Sequence, residues 1–151
     1  MNIVIRLAKA EDRASWVQLR SQLWPSCPPE RHRLEIDHLM ASSGLVAVAC
    51  VHGELVGFAE GSIRLDHVEG TSSAPVPYLE GWYVTEAYRG RGVGRALLTF
   101  VERWARESGY RELASDAEIE NETSIRLHST LGFNEVSRTV HFVKSLSQEN
   151  A

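Results

Sequence analysis

At 151 residues, with 43% hydrophobic and 24% charged residues, the chain has the size and composition of one soluble globular domain and is too apolar for a disordered polypeptide. A net charge of −4 excludes the broad basic footprint of a nucleic-acid binder and suits a cationic small molecule. Apolar runs such as 45–51 are far short of a membrane span, and residues 1–10 lack the long apolar core of a signal peptide. A cytoplasmic protein with no membrane or nucleic-acid partner is therefore expected.

Residues 3–7, Ile-Val-Ile-Arg-Leu, read as a short strand, and from Glu11 onward Trp16, Leu19 and Leu23 recur at helical spacing until Trp24-Pro25 ends the helix. The cluster from Pro25 to Pro29 reads as a loop. Beyond it, Leu34, Leu39 and Met40 mark a second helix that stops near Gly44. Strands at 45–51 and 55–63 flank His52-Gly53-Glu54, with a glycine where a hairpin needs positive φ. Residues 68–77 hold Gly70, Thr71, Ser72, Ser73, Pro75 and Pro77, a composition that breaks regular structure and implies a surface excursion.

A strand is expected at 78–84, then a glycine- and arginine-rich loop at 88–94. Val93, Leu97, Phe100, Val101, Trp104 and Ala105 trace one face of an amphipathic helix stopped by Gly109. A strand at 112–116, a short helix at 123–131 closed by Gly132, and a terminal β segment or pair at 133–144 complete the chain. Helices set among strands point to a mixed α/β sheet covered on both faces, in a single domain of residues 1–151. The two cysteines, Cys27 and Cys50, have no Cys or His neighbours at zinc-ligand spacing, so a loop thiol, a packed thiol and no metal are expected.

The loop Arg89-Gly90-Arg91-Gly92-Val93-Gly94 lies between a strand and a helix, where backbone N–H groups converge. Glycines allow close approach to an anion, and Arg89, Arg91 and Arg95 supply charge; the alternative is a tight turn with solvated arginines. Two other phosphate motifs fail on these residues. Gly94 is followed by Arg95-Ala96 instead of Lys-Ser/Thr, and only Val93 separates Gly92 from Gly94, where a dinucleotide fingerprint needs two residues.

Tyr83-Val84 with Tyr88-Arg89-Gly90-Arg91-Gly92-Val93-Gly94 resembles the acyl-CoA motif of the GNAT N-acetyltransferases, Arg/Gln-x-x-Gly-x-Gly/Ala, and Asn121 with Leu131-Gly132-Phe133 resembles their downstream signature. The resemblance implies the GNAT fold, a mixed sheet splayed open between the strands carrying Tyr83 and Asp116. It also implies acetyl-CoA as co-substrate, held by Arg89, Arg91, Gly92, Val93, Gly94 and Arg95 at its pyrophosphate and by Tyr83, Val84 and Asn121 along its pantetheine. Over nearly the whole chain the sequence is similar to the aminoglycoside 6′-N-acetyltransferases. The similarity rests on Gln22-Leu23-Trp24-Pro25, Gly70 to Val76, Leu79-Glu80-Gly81, and Ala114-Ser115-Asp116 with His128 and Leu131-Gly132-Phe133. That subfamily implies an aminoglycoside acceptor, a homodimer using the C-terminal strand, and direct attack on acetyl-CoA, with a backbone amide near Tyr83 or Val84 holding the oxyanion.

The chemistry asks for carboxylates, because an aliphatic ammonium must lose a proton before it attacks a thioester. Glu80, on the strand leading to the loop, and Asp116, at the end of the next strand, are the candidate catalytic groups. Both would also orient a polycation. Trp24, as a pocket wall or a core aromatic, and Asp66 and His67, beside the excursion, are the other candidate acceptor contacts. The run Asp116, Glu118, Glu120 and Glu122 reads either as an acidic rim or as a solvated face. His128 stands where many GNAT enzymes carry a tyrosine acid. Acetylation of another amine, such as a polyamine or a protein N-terminus, and a non-catalytic acyl-CoA-binding domain are the competing functions.

Overall fold

A computed structural model of the chain describes residues 1–147. Strand β1 (Ile3–Leu7) is followed by a 3-10 turn at Ala10–Asp12, helix α1 (Arg13–Leu23), helix α2 (Pro29–Met40) and the antiparallel pair β2 (Leu45–Val51) and β3 (Glu54–Arg64). Strand β4 (Val76–Val84), helix α3 (Val93–Glu107), the two-residue β5 (Ala114–Ser115) and helix α4 (Glu122–Thr130) follow. The chain divides into two compact units, the first ending at Asp116 and the second beginning at Ala117.

The first unit holds a mixed five-stranded sheet in sequential order, antiparallel from β1 to β4 and parallel between β4 and β5. The β2–β3 turn has two residues, His52 and Gly53, both at positive φ (50° and 80°), the conformation whose twist matches a hairpin. Helices cover both faces. Trp16, Val17 and Leu19 of α1 and Ile36 of α2 close a core with Val46, Val48, Cys50 and Phe58. On the other face a Cβ at Gly57 or Gly61 would meet Leu97 or Trp104 of α3, so glycine lets that helix lie close.

Several elements differ from the sequence pattern: of the strand expected at 112–116 only Ala114–Ser115 pairs, and Val76 and Pro77, expected in the excursion, open β4. Helix α2 starts at Pro29, where a missing N–H costs nothing, and it buries His32 and Ile36 while Leu34 and Met40 are exposed. The buried histidine is received by Trp24, whose ring stacks on the imidazole and whose carbonyl lies 3.4 Å from Nε2. The β segment expected at 133–144 is not formed: among the described residues it pairs with no strand, and strand geometry needs a neighbour to satisfy its backbone groups. Within the second unit, Asn121 caps α4 by accepting from Ser124 N at 3.1 Å, and Gly132 at φ 100° ends it.

Candidate active site

The site grows from an irregularity in β4. Glu60 pairs with Gly81 and Gly61 with Leu79, so Glu80 is the extra residue of a β-bulge. Upstream, Val76, Tyr78 and Glu80 share the face of Ser62 and Arg64; downstream, Gly81 and Tyr83 take over that face. The bulge thus puts Glu80 and Gly81, adjacent in sequence, on the α1 side of the sheet, where a regular strand would present only one of them.

The Glu80 carboxylate is engaged on both oxygens. Ser62 Oγ donates to Oε2 at 2.5 Å, and Arg64 forms a bidentate pair, Nε to Oε2 at 2.9 Å and Nη2 to Oε1 at 2.7 Å. The Arg64 guanidinium also lies 3.4 Å from the centroid of the Tyr78 ring, and the Tyr78 hydroxyl donates a short hydrogen bond to Asp116 Oδ2. Burial, reinforced by that bond to Asp116, pushes the Tyr78 hydroxyl above the usual phenol range, so it stays a donor. Glu80 and Asp116 are therefore joined through one chain of side chains, Glu80–Arg64–Tyr78–Asp116.

Trp24 walls the same face. It is half-buried, its indole lies against Gly81, where an added Cβ would meet Cη2 at 2.6 Å, and it contacts Phe58 at 6.2 Å between centroids. Behind it stands a buried polar frame. Arg20 packs over the Trp24 ring at 4.9 Å, donates to Glu35 at 2.6 Å and to the His32 carbonyl at 3.3 Å, and ion-pairs with Glu60 at 3.3 Å. Trp16 Nε1 donates to Glu60 at 2.9 Å, and His32 stacks on Trp24. Burial, only partly offset by Arg20 and Trp16, pushes Glu60 up to about 7. Tyr83 Oη completes the wall by donating to Gln22 Oε1 at 3.1 Å.

The glycine loop meets this face at the far end of β4. Gly92, at φ 86°, caps α3 in the left-handed conformation with no side-chain cap, leaving the first-turn N–H groups of Val93, Gly94 and Arg95 facing outward. A Cβ at Gly92 would meet nothing within 4 Å, so its backbone is open to a ligand. Trp82 Nε1 donates to the Gly94 carbonyl at 3.0 Å and Arg89 Nε to the Val84 carbonyl at 2.9 Å, locking loop to strand. Pairing with β5 covers only Tyr78 and Leu79, so among the described residues the outer edge of β4 from Glu80 to Val84 has no strand partner. An uncapped helix N-terminus beside an open strand edge fits a phosphate group attached to an extended amide-bearing arm.

The acetyltransferase (GNAT) family model matches residues 11–133, a span that contains all of these elements. The chain belongs to this acetyltransferase family. It is 47% identical over 139 residues to a Stenotrophomonas maltophilia protein named aminoglycoside N(6')-acetyltransferase type 1, covering 91% of this chain and 90% of that protein. It also resembles the solved structure of AAC(6')-Iy in complex with the bisubstrate analog CoA-S-monomethyl-acetylneamine, with a TM-score of 0.90, 36% identity and coverage of 96% and 99% of the two chains. The apo aminoglycoside 6'-N-acetyltransferase AAC(6')-IG of Acinetobacter haemolyticus matches with a TM-score of 0.89 and 36% identity, over 97% of this chain and all of that one.

The other residues singled out in this acetyltransferase's sequence are distributed more widely. Asp66 and His67 are exposed at the start of the excursion after β3, which Glu112 pins by accepting from Ser72 N and Oγ, both at 2.9 Å. Arg91 is exposed, reaching Met1 Sδ at 3.8 Å and Tyr88 at 5.6 Å, and Arg95 lines a groove of about 380 Å³ with Ile5, Thr99 and Arg103. In the second unit the Asn121 side-chain oxygen is committed to its cap, and His128 Nδ1 donates to the Ser124 carbonyl at 2.7 Å. Glu118, Glu120 and Glu122 are exposed. Cys50 is buried and Cys27 half-buried, both free. Sequence reasoning missed Ser62, Arg64, Tyr78 and Gln22. A signal existed for two of them: Ser62 and Arg64 alternate with apolar residues on β3, two polar side chains aimed at one face.

Proposed function

We propose that the enzyme transfers acetyl from acetyl-CoA to the 6′-amino group of aminoglycoside antibiotics. The single observation that carries this reading is the meeting of Glu80, Asp116 and Trp24 on one face of the sheet, beside the open edge of β4. The relatives named for that reaction, and a neighbour holding a CoA–neamine bisubstrate analog, support it. The co-substrate's pyrophosphate rests on the N–H groups of residues 93–95, with Arg89, Arg91, Gly92 and Arg95 around it, and its pantetheine runs along Tyr83 and Val84. Glu80 takes the proton from the acceptor amine, directly or through one water, while Asp116 and Trp24 orient the sugar that bears it; Asp66 and His67 contact its outer rings.

Attack is direct: the amine nitrogen bonds to the thioester carbonyl carbon, a β4 amide near Tyr83 or Val84 holds the oxyanion, and the C–S bond breaks to release CoA thiolate. No protein thiol takes part, in keeping with the buried Cys50. Acetylation removes one positive charge from a polycationic drug, which is how the reaction confers resistance. No helix among the described residues is long and apolar enough to cross a membrane, and the cytoplasm, where acetyl-CoA is made, is the assigned compartment. A homodimer is assigned to the segment 133–144, whose Val140, Phe142 and Val143 are 74%, 90% and 99% exposed.

Kanamycin or tobramycin, each with a 6′-amine, is expected to be acetylated, and a close analogue with a 6′-hydroxyl is not. Mass spectrometry locating the acetyl group decides the matter. Acetylation at a different nitrogen removes the 6′ assignment, and CoA release with a polyamine or peptide but no aminoglycoside hands the site to another amine.

A further inference from the structure

The carboxylate assigned as base is met by a cation of the protein itself. Arg64, the last residue of β3, covers both oxygens of Glu80 with a planar two-point fork and stacks its guanidinium on Tyr78, whose hydroxyl is bonded to Asp116. The bond to Glu80, which outweighs partial burial, pushes its pKa up, so Arg64 stays charged throughout. One guanidinium thus sits where an acceptor ammonium has to be received.

A second arginine–glutamate pair on the same face shows what a permanent version looks like. Arg20 and Glu60 have side chains 5% and 3% exposed, and Arg20 is held by Glu35, the His32 carbonyl and the Trp24 ring besides. Opening that pair would strand a charge in the core. Arg64 and Glu80 are 43% and 30% exposed, and Arg64 adjoins the exposed excursion at 65–75. Its long side chain can turn into water and keep its charge solvated there.

We propose that Arg64 is a displaceable counter-ion that fills the ammonium subsite of Glu80 and Asp116 while the acceptor is absent, and that the acceptor evicts it. The inference rests on the reading of Glu80 as the carboxylate that receives the amine. Its consequence is selectivity by charge. A single ammonium must compete with a bidentate fork plus a stacking contact, whereas a polyamine brings several ammonium groups to the same two carboxylates. Arg64 is then a specificity-determining residue that sets a threshold against simple monoamines.

The test is calorimetric binding, without acetyl-CoA, of neamine, spermidine and propylamine to the parent, Arg64→Gln and Arg64→Lys. Arg64→Gln is expected to bind each amine on the order of 10-fold tighter at low salt, with a steeper loss of affinity as salt rises, and with CoA affinity unchanged. Propylamine is expected to gain most relative to the parent. Arg64→Lys keeps the charge without the fork and falls between. Adding methylguanidinium to Arg64→Gln is expected to return affinity to the parent value.

Equal or weaker amine binding in both variants overturns the assignment and makes Arg64 a structural partner of Glu80. Should Arg64→Gln fail to fold, Arg64→Lys and its own loss of affinity on adding methylguanidinium decide the same question. A gain with spermidine but no neamine binding in any protein keeps the counter-ion and removes the aminoglycoside. Neamine acetylation by the parent with no gain in either variant does the reverse, and no amine binding anywhere removes both.

Discussion

The glycine loop that follows β4 and the proposed acceptor face along that strand are built in opposite ways. The loop is contiguous, residues 89–95, and offers backbone: a left-handed Gly92 and an uncapped first turn of α3. Its competence depends on local dihedrals, which the residues themselves impose. The proposed acceptor face draws side chains from α1 and the residue that ends it, from β3 and β4, and from the residue after β5, namely Gln22 and Trp24, Ser62 and Arg64, Tyr78 and Glu80, and Asp116. A site made of main chain tolerates change everywhere except at its glycines and charges, whereas a site made of an interlocked side-chain chain feels the loss of any link.

The strongest way to break this contrast is Glu80→Gln, which keeps the shape and removes the proposed base. Turnover is expected to fall by on the order of 10²–10⁴ while CoA affinity stays as it was. Near-normal steady-state rates would remove Glu80 from the chemistry.

Next in size is the frame behind Trp24. Glu60 ordinarily titrates near 4.5 and is raised to about 7 in the fold, so its contribution to stability is full below 4.5 and is lost as pH rises through 7. The shift corresponds to a loss on the order of 3 kcal/mol over that window. Glu60→Gln lacks the titration, so its unfolding free energy relative to the parent is expected to rise between pH 4.5 and 8 in denaturant titrations. A difference that is flat with pH would mean that Glu60 is charged and fully compensated in the parent.

Smaller still is the effect at the loop. Arg91→Ala is expected to weaken acetyl-CoA binding by about 1.5–3 kcal/mol, the worth of a hydrogen bond to a charged group, with acceptor binding unaffected. Gly92→Asp places a negative charge and a strained positive φ at the same point and is expected to act in the same direction. Unchanged calorimetric affinity in both folded variants would take the pyrophosphate away from this loop.

The sequence by itself determined the elements whose cause is local. Apolar runs on either side of a His-Gly turn placed β2 and β3, helical spacing placed α1 and α3, and the glycines at 90–94 marked the turn that opens α3, because dihedral freedom and periodicity are properties of a few neighbouring residues. It also picked out Glu80 and Asp116 as unusual carboxylates, through a family resemblance and the oddity of a charge within an apolar strand. Tertiary structure decided the rest. Leu34 looked like the inner face of α2, yet His32 and Ile36 are buried, since the choice depends on Arg20 and Trp24 being there to receive the imidazole and the His32 carbonyl. The segment 133–144 was expected as β structure but pairs with no strand among the described residues, because strand formation requires a partner that no pattern within one segment supplies. The bulge at Glu80 was equally invisible: it is a mismatch of register between β3 and β4, and only when the two strands meet does one extra residue put Glu80 and Gly81 on the same face, beside Arg64 and under Trp24.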